Sequence, residues 1–279
     1  MESIVDYFSQ IPSSHRSIIL LGGLTFFMVL EFGLPFYRAR YNKAQHFGIN
    51  LFFTFTTVLV NFLMAVILLK SSDWAIEHQF GILQWLPEMP LWVFIFVGLL
   101  LLDFIGAYAA HWMEHKVKWM WRFHLVHHTD PNVDATTANR HHPGESVIRF
   151  AFTTVAAVLA GAPMYLIMLY QSMSAALSQF NHANVNFPVW AEKILGFLIV
   201  TPRMHRVHHH YVLPFTDTNY GNIFSVWDRL FGTYAEMENR QIVFGIDTHM
   251  APEEQANIGT LLKIPFQPYR QPEGAKFEG

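Results

Sequence analysis

The sequence contains no cysteine. Disulfides, thiolate zinc sites, cysteine-held iron–sulfur clusters and cysteine-ligated haem are thereby excluded, while the redox compartment stays open. Charge is scarce as well. Charged residues make up 14% of the 279 residues, against roughly 25% in soluble domains, too few to coat a water-facing surface of this size. Neither sign dominates: the formal net charge is −3 and the pI is near 6.6, which gives no footprint for a nucleic-acid partner. The first residues lack a charged segment followed by a short apolar run and a cleavage site, so no cleavable signal peptide is expected. There are no internal repeats.

Apolar residues and histidine are abundant instead. Hydrophobic residues reach 52%, with 26 Phe. Three long apolar runs, Ser17–Tyr37, Phe47–Leu69 and Leu91–Ala110, are each long enough to cross a hydrocarbon core of about 30 Å as a helix. Arg38, Arg40 and Lys43 lie between the first two runs, Asp73, Glu77 and Glu88 outweigh Lys70 between the next two, and Lys116, Lys118 and Arg122 follow the third. The positive-inside rule then places the first loop and the segment after the third span on the cytoplasmic side. A fourth apolar stretch, Val147–Leu177, is interrupted at Gly161-Ala162-Pro163, where a proline costs about 3 kcal/mol inside a helix. Beyond Asn181 the chain is more polar and turn-rich, with an amphipathic stretch near Trp190–Val200 suited to a membrane surface. The tail Gln267–Gly279 is expected to be loosely ordered.

Most of the 16 histidines fall into spaced clusters. His111 and His115 are separated by one helical turn and share a face. His124, His127 and His128 form an H-x-x-H-H cluster, and His205, His208 and His209 repeat it. Between them stand His141-His142-Pro143 and an isolated His182. Eight clustered imidazoles exceed the needs of one metal and suit two; iron, zinc and copper all accept such ligands. Isolated His15, His46, His78 and His249 read as core or interfacial residues. For His111–His142 and His182–His209 to serve one centre, Val147–Leu177 must leave one membrane face and return to it. A hairpin with two arms of about 14 residues each, bent at Gly161–Pro163, does so; a single crossing does not. The expected fold is therefore all-α: a polytopic membrane bundle of three spans plus a broken helical hairpin, with a cytosolic helical cap carrying a di-metal site, all within one domain over residues 1–279.

These clusters, with Asp103-Phe104 leading to Tyr108 and His111, resemble the fatty acid hydroxylase superfamily, also called the sterol desaturase family. The segments Arg140-His141-His142-Pro143-Gly144-Glu145, Phe180-Asn181-His182-Ala183-Asn184, Thr201-Pro202, Asn219-Tyr220-Gly221-Asn222 and Trp227–Tyr234 are similar to that family's recurring pieces. The resemblance runs from about Phe96 to Tyr234. One departure is Trp112, where many members carry Arg. The resemblance implies His111, His115, His124, His127, His128, His205, His208 and His209 as metal ligands, with His182 as a ninth and His142 as an outer partner or else a further ligand. It implies two Fe2+ ions (zinc being a substitute in a purified form), O2 as co-substrate, a lipid substrate drawn from the bilayer, and an external electron donor: a cytochrome b5-like protein, a ferredoxin or a reductase. The expected product is an alcohol, or an alkene if a second hydrogen is lost. Asp103, two turns before His111 in an apolar span, is expected to orient an imidazole through its free N–H; Glu145, Asn184, Asp217 and Asp228 are candidates for the same task or for capping.

Two other classes compete. His111-Trp-Met-Glu-His115 is also H-x-x-E-H, the inverted zincin pattern, in which Glu114 would be the general base of a membrane metalloprotease; that leaves two histidine clusters without a role. A metal transporter would place its ligands near mid-membrane, whereas these follow the spans.

Overall fold

The computed structural model describes residues 2–38 and 40–274, which are helical with no β-sheet among them. Three helices are long and apolar enough to cross a membrane: α1, Ser13–Gly33; α2, Lys43–Glu77, within an apolar stretch running to Trp85; and α3, Leu91–Lys116. The most apolar window of α2 is only 17% buried, against 50% for α3. Phe55, Phe62, Leu63 and Val66 of α2 stand exposed. A surface this apolar belongs against lipid tails, so the protein is an integral membrane bundle. α2 and α3 run past the expected apolar windows, whereas α1 stops at Gly33, four residues short of Tyr37. Asn42 starts α2 by accepting from the Gln45 N–H at 3.1 Å, which satisfies one orphan donor of the first turn.

Three further helices return the chain to one end. α4 is Lys118–His128, α5 is Pro143–Ala160 and α6 is Met164–His182. The break between α5 and α6 falls where Gly161 adopts φ +65°, a left-handed helix stop that glycine takes without strain. The arms are 18 and 19 residues long, longer than the 14 expected from hydropathy. The turn between them meets α2 and the α2–α3 connection: Ser72 of α2 donates to the Ala162 carbonyl at 2.8 Å and Gln84 to the Gly161 carbonyl at 2.7 Å. Buried Ala156, Ala157 and Ala160 let α5 pack closely in the core with Leu68, Leu99, Leu102 and Leu166. A side chain at Gly98 would overlap Leu166.

The far ends of these helices converge. Glu31, near the end of α1, accepts from the Ala135 and Asn184 N–H groups at 2.8 and 2.9 Å. Asn50, near the start of α2, donates to Thr136 at 2.8 Å. The connection after α1, the segment after α3, the start of α5 and the end of α6 thus share one end of the bundle. Short helices close over it, among them α7, Pro202–His208. Val189–Leu195 is helical; Trp190 and Ile194 on it, and Phe197 and Leu198 just after it, are exposed. The tail is better anchored than its composition suggests. Arg122 donates to the Gln267 carbonyl, and Arg270 pairs with Glu254 at 2.6 Å; residues 275–279 lie outside the described residues.

Candidate metal centre

Each histidine is aimed by its element. In α3 the backbone loosens to a π-helical turn at Phe104–Ala109 before tightening into Ala110–Lys116, which presents His111 and His115 on one face. α4 carries His124, His127 and His128, α6 ends at His182, and α7 carries His205 and His208, with His209 at its end. All nine are buried and fall into two sets. His111, His115, His124, His128 and His208 form one, and His127, His182, His205 and His209 the other. Within each set the ligand nitrogens lie within 4.8 Å of one another.

The donor atoms fit cations. The His111 Nδ1–H donates to the Tyr220 carbonyl at 2.9 Å, and the His124 Nδ1–H to Glu145 Oε1 at 2.7 Å. Carbonyl and carboxylate only accept, so the protons sit on Nδ1 and each Nε2 is a bare lone pair. Those two Nε2 atoms are nevertheless 3.0 Å apart, a repulsive contact unless a positive ion lies between the pairs. His182 repeats the pattern. Its Nδ1 donates to the Ser178 carbonyl at 2.7 Å, and its Nε2 faces those of His127 and His205 at 3.2 and 3.0 Å. Nε2 of His115 and of His208 are buried without a hydrogen-bond partner among the described residues. Burial, and then the crowding of neighbouring imidazoles, holds His124, His127, His128, His205, His208 and His209 well below the ordinary imidazole pKa; burial takes His182 down to about 3. Neutral imidazole is the ligating form. The all-nitrogen donor set suits iron, zinc or copper.

Around the rings the candidate carboxylates divide. Glu145 accepts from His124, from the His141 Nδ1–H at 2.7 Å and from Arg149 at 3.0 Å. Asp217 accepts from the His115 Nδ1–H at 3.2 Å and pairs with Lys116. Asp103, fully buried, touches no imidazole, contrary to the role its position suggested. It accepts from the Ile223 and Phe224 N–H groups at 3.2 and 3.1 Å and from the Trp227 indole at 3.0 Å. Asp228 takes the Tyr220 and Gly221 N–H groups at 2.8 and 2.9 Å. Together they clamp the loop whose Tyr220 carbonyl holds His111. Asn184 is also away from the rings; its side chain pairs with the Tyr37 backbone at 3.1 Å in both directions.

His142 is turned away from the centre. It starts α5, its Nδ1 accepting from the Gly144 N–H at 2.9 Å and its Nε2 facing the Leu262 carbonyl at 3.3 Å. Pro143 in the first helical position fixes that arrangement. His141, one residue earlier, is the one that reaches Glu145 and stacks on His127 with ring centroids 4.9 Å apart. The i, i+4 spacing of His141, Glu145 and Arg149 carries that signal in the sequence. His46, expected as a core or interfacial residue, is buried and bonds Asp130 at 2.9 Å, tying α2 to the segment just after α4. Glu114 is buried against Arg149 at 2.7 Å and lies 3.9 Å from Nδ1 of His124, on the side away from that ring's ligand nitrogen.

Residues 95–233 match the fatty acid hydroxylase family model. The chain belongs to the fatty acid hydroxylase superfamily. It is similar to the ornithine lipid hydroxylase OlsE of Rhizobium tropici, 31% identical over 54% of this chain and 44% of that protein. The human alkylglycerol monooxygenase is 32% identical over 57% of this chain and 33% of its own length. Cholesterol 25-hydroxylase-like protein 1, member 2 of Danio rerio is 25% identical over 64% of each chain. These matches therefore span less than two thirds of each relative. No solved structure matches the chain. In this fatty acid hydroxylase domain the matched segment holds all nine clustered histidines.

Proposed function

We propose that the protein is an O2-dependent lipid hydroxylase whose two histidine sets each hold an iron ion. The observation that carries this reading is the burial of nine neutral imidazoles in two sets with lone pairs facing one another. The relatives, all named as hydroxylases or monooxygenases, favour hydroxylation over desaturation. Bound iron would supply reductive activation of O2 and insertion of one oxygen atom into an unactivated C–H bond. The protein's own part is orientation and dryness. Glu145, Asp217 and the Tyr220 and Thr218 carbonyls hold the outer nitrogens of His124, His115, His111 and His208, and the rings are removed from water.

The substrate is a membrane lipid (sterol, acyl chain or ether lipid) that enters from the bilayer. The metal end lies on the cytoplasmic face, where Arg38, Arg40, Lys43, Lys116 and Lys118 gather. A separate redox protein delivers the electrons there.

Lipid extracts of cells with and without the gene, compared by mass spectrometry, test the function. Gain of one oxygen atom in a lipid class is expected. Loss of two hydrogen atoms would replace the hydroxylase reading with a desaturase, and unchanged lipids would overturn both. The metalloprotease alternative requires Glu114 to face metal-bound water, and its pairing with Arg149 behind His124 speaks against that. Glu114→Gln should leave metal content at two ions per chain.

A further inference from the structure

We infer that the two metal positions are unequally held: the five-histidine set takes its ion first and keeps it, while the ion of the four-histidine set is exchangeable. The inference rests on the metal-centre reading above. Its basis is the far side of each ring. In the five-histidine set, four outer nitrogens have partners: Tyr220 O for His111, Asp217 for His115, Glu145 for His124 and, at 2.7 Å, Thr218 O for His208. Only His128 Nδ1 has none among the described residues. In the four-histidine set the proportion reverses. His182 alone is fixed, by the Ser178 carbonyl, while Nδ1 of His127, His205 and His209 is buried with no hydrogen-bond partner among the described residues.

An outer partner fixes the tautomer, locks the ring's rotation and raises its basicity; losing one typically weakens metal binding by about 10–100-fold. The four-histidine set lacks three such partners and has one fewer donor. These contributions do not add fully, so a difference of at least about a hundredfold in dissociation constant follows, equal to one or two partners' worth. Three rings held by packing alone also reorient more readily, which speeds release. When metal is short, the chain accumulates as a form with one ion in the five-histidine set.

The test uses the purified full-length protein in detergent, stripped of metal and titrated with Co2+ or Zn2+ against a chromophoric chelator. Release from the loaded protein to excess chelator is followed by elemental analysis. Two binding steps at least about a hundredfold apart, and one ion lost much faster than the other, are expected. His205→Ala should remove the weak step and keep the tight one, and His208→Ala should remove the tight step. Two equal steps, or loss of the weak step in His208→Ala, would overturn the inference while leaving the metal centre intact. Failure to bind any ion would end both. The release kinetics of the unaltered protein carry the answer even if a variant fails to fold.

Discussion

The clusters His124–His128 and His205–His209 share one spacing and use it in opposite ways. In the first, residues i and i+4 join the five-histidine set and i+3 joins the other; in the second, i and i+4 join the four-histidine set and i+3 crosses back. Each cluster therefore contributes to both histidine sets, and neither set is complete until α4 and α7 meet. The arrangement is close to a twofold exchange of the two sets. What breaks it lies outside the clusters: α3 adds two imidazoles to one side, His111 and His115, whereas α6 adds only His182 to the other.

The sharpest way to break this comparison is a pair of double variants. His128→Ala with His208→Ala strikes one position twice and should leave about one ion per chain. His128→Ala with His205→Ala strikes both and should leave almost none. Metal per folded chain, measured after gel filtration, decides it. If instead each sequence cluster held its own ion, both pairs would empty the protein.

The outer partners give a smaller effect. Glu145→Gln keeps the shape but removes the charge that receives the His124 proton, and should weaken the five-histidine position by about 10–100-fold. Metal competition at the four-histidine position, which contains neither His124 nor His141, should change far less. Equal weakening at both would mean that His141, stacked on His127, transmits the loss across the centre.

These cases show which parts of the protein can be read from residues alone. Spans and histidine spacing are local patterns, so the all-helical membrane bundle is legible, and the need for both halves of the chain at one end predicts the turn at Gly161–Pro163. The division of ligands is not legible, because spacing within a cluster says nothing about which neighbour each ring will meet. Asp103 misleads for a related reason. A carboxylate in an apolar span announces a role, yet its partners lie far along the chain, and two of them, Ile223 and Phe224, offer only backbone N–H groups that any sequence would have. His141 and His142 look equivalent until Pro143 sets the start of α5.

Asp103 then ranks third. Asp103→Ala would orphan the buried Ile223 and Phe224 N–H groups, at about 1–3 kcal/mol for each unsatisfied group, and free the loop that holds His111 through Tyr220. Thermal unfolding in detergent should fall, with metal loss confined to the five-histidine position. A fall in stability with both affinities unchanged would show that the clamp serves the fold alone.

The mildest perturbation acts from the opposite end. Gly161 has φ +65°, and an added Cβ would come 2.5 Å from the Phe80 carbonyl oxygen. Gly161→Ala therefore meets both left-handed strain and overlap, for a cost of about 1–3 kcal/mol. Because α6 carries only His182 into the centre, any effect that travels its length reaches the four-histidine position first. Faster metal release there, with the five-histidine position unchanged, is the expected result in the chelator assay. Release that quickens equally from both positions would mean that the turn steadies the bundle as a whole, and that the loosely held set has no private connection to α6.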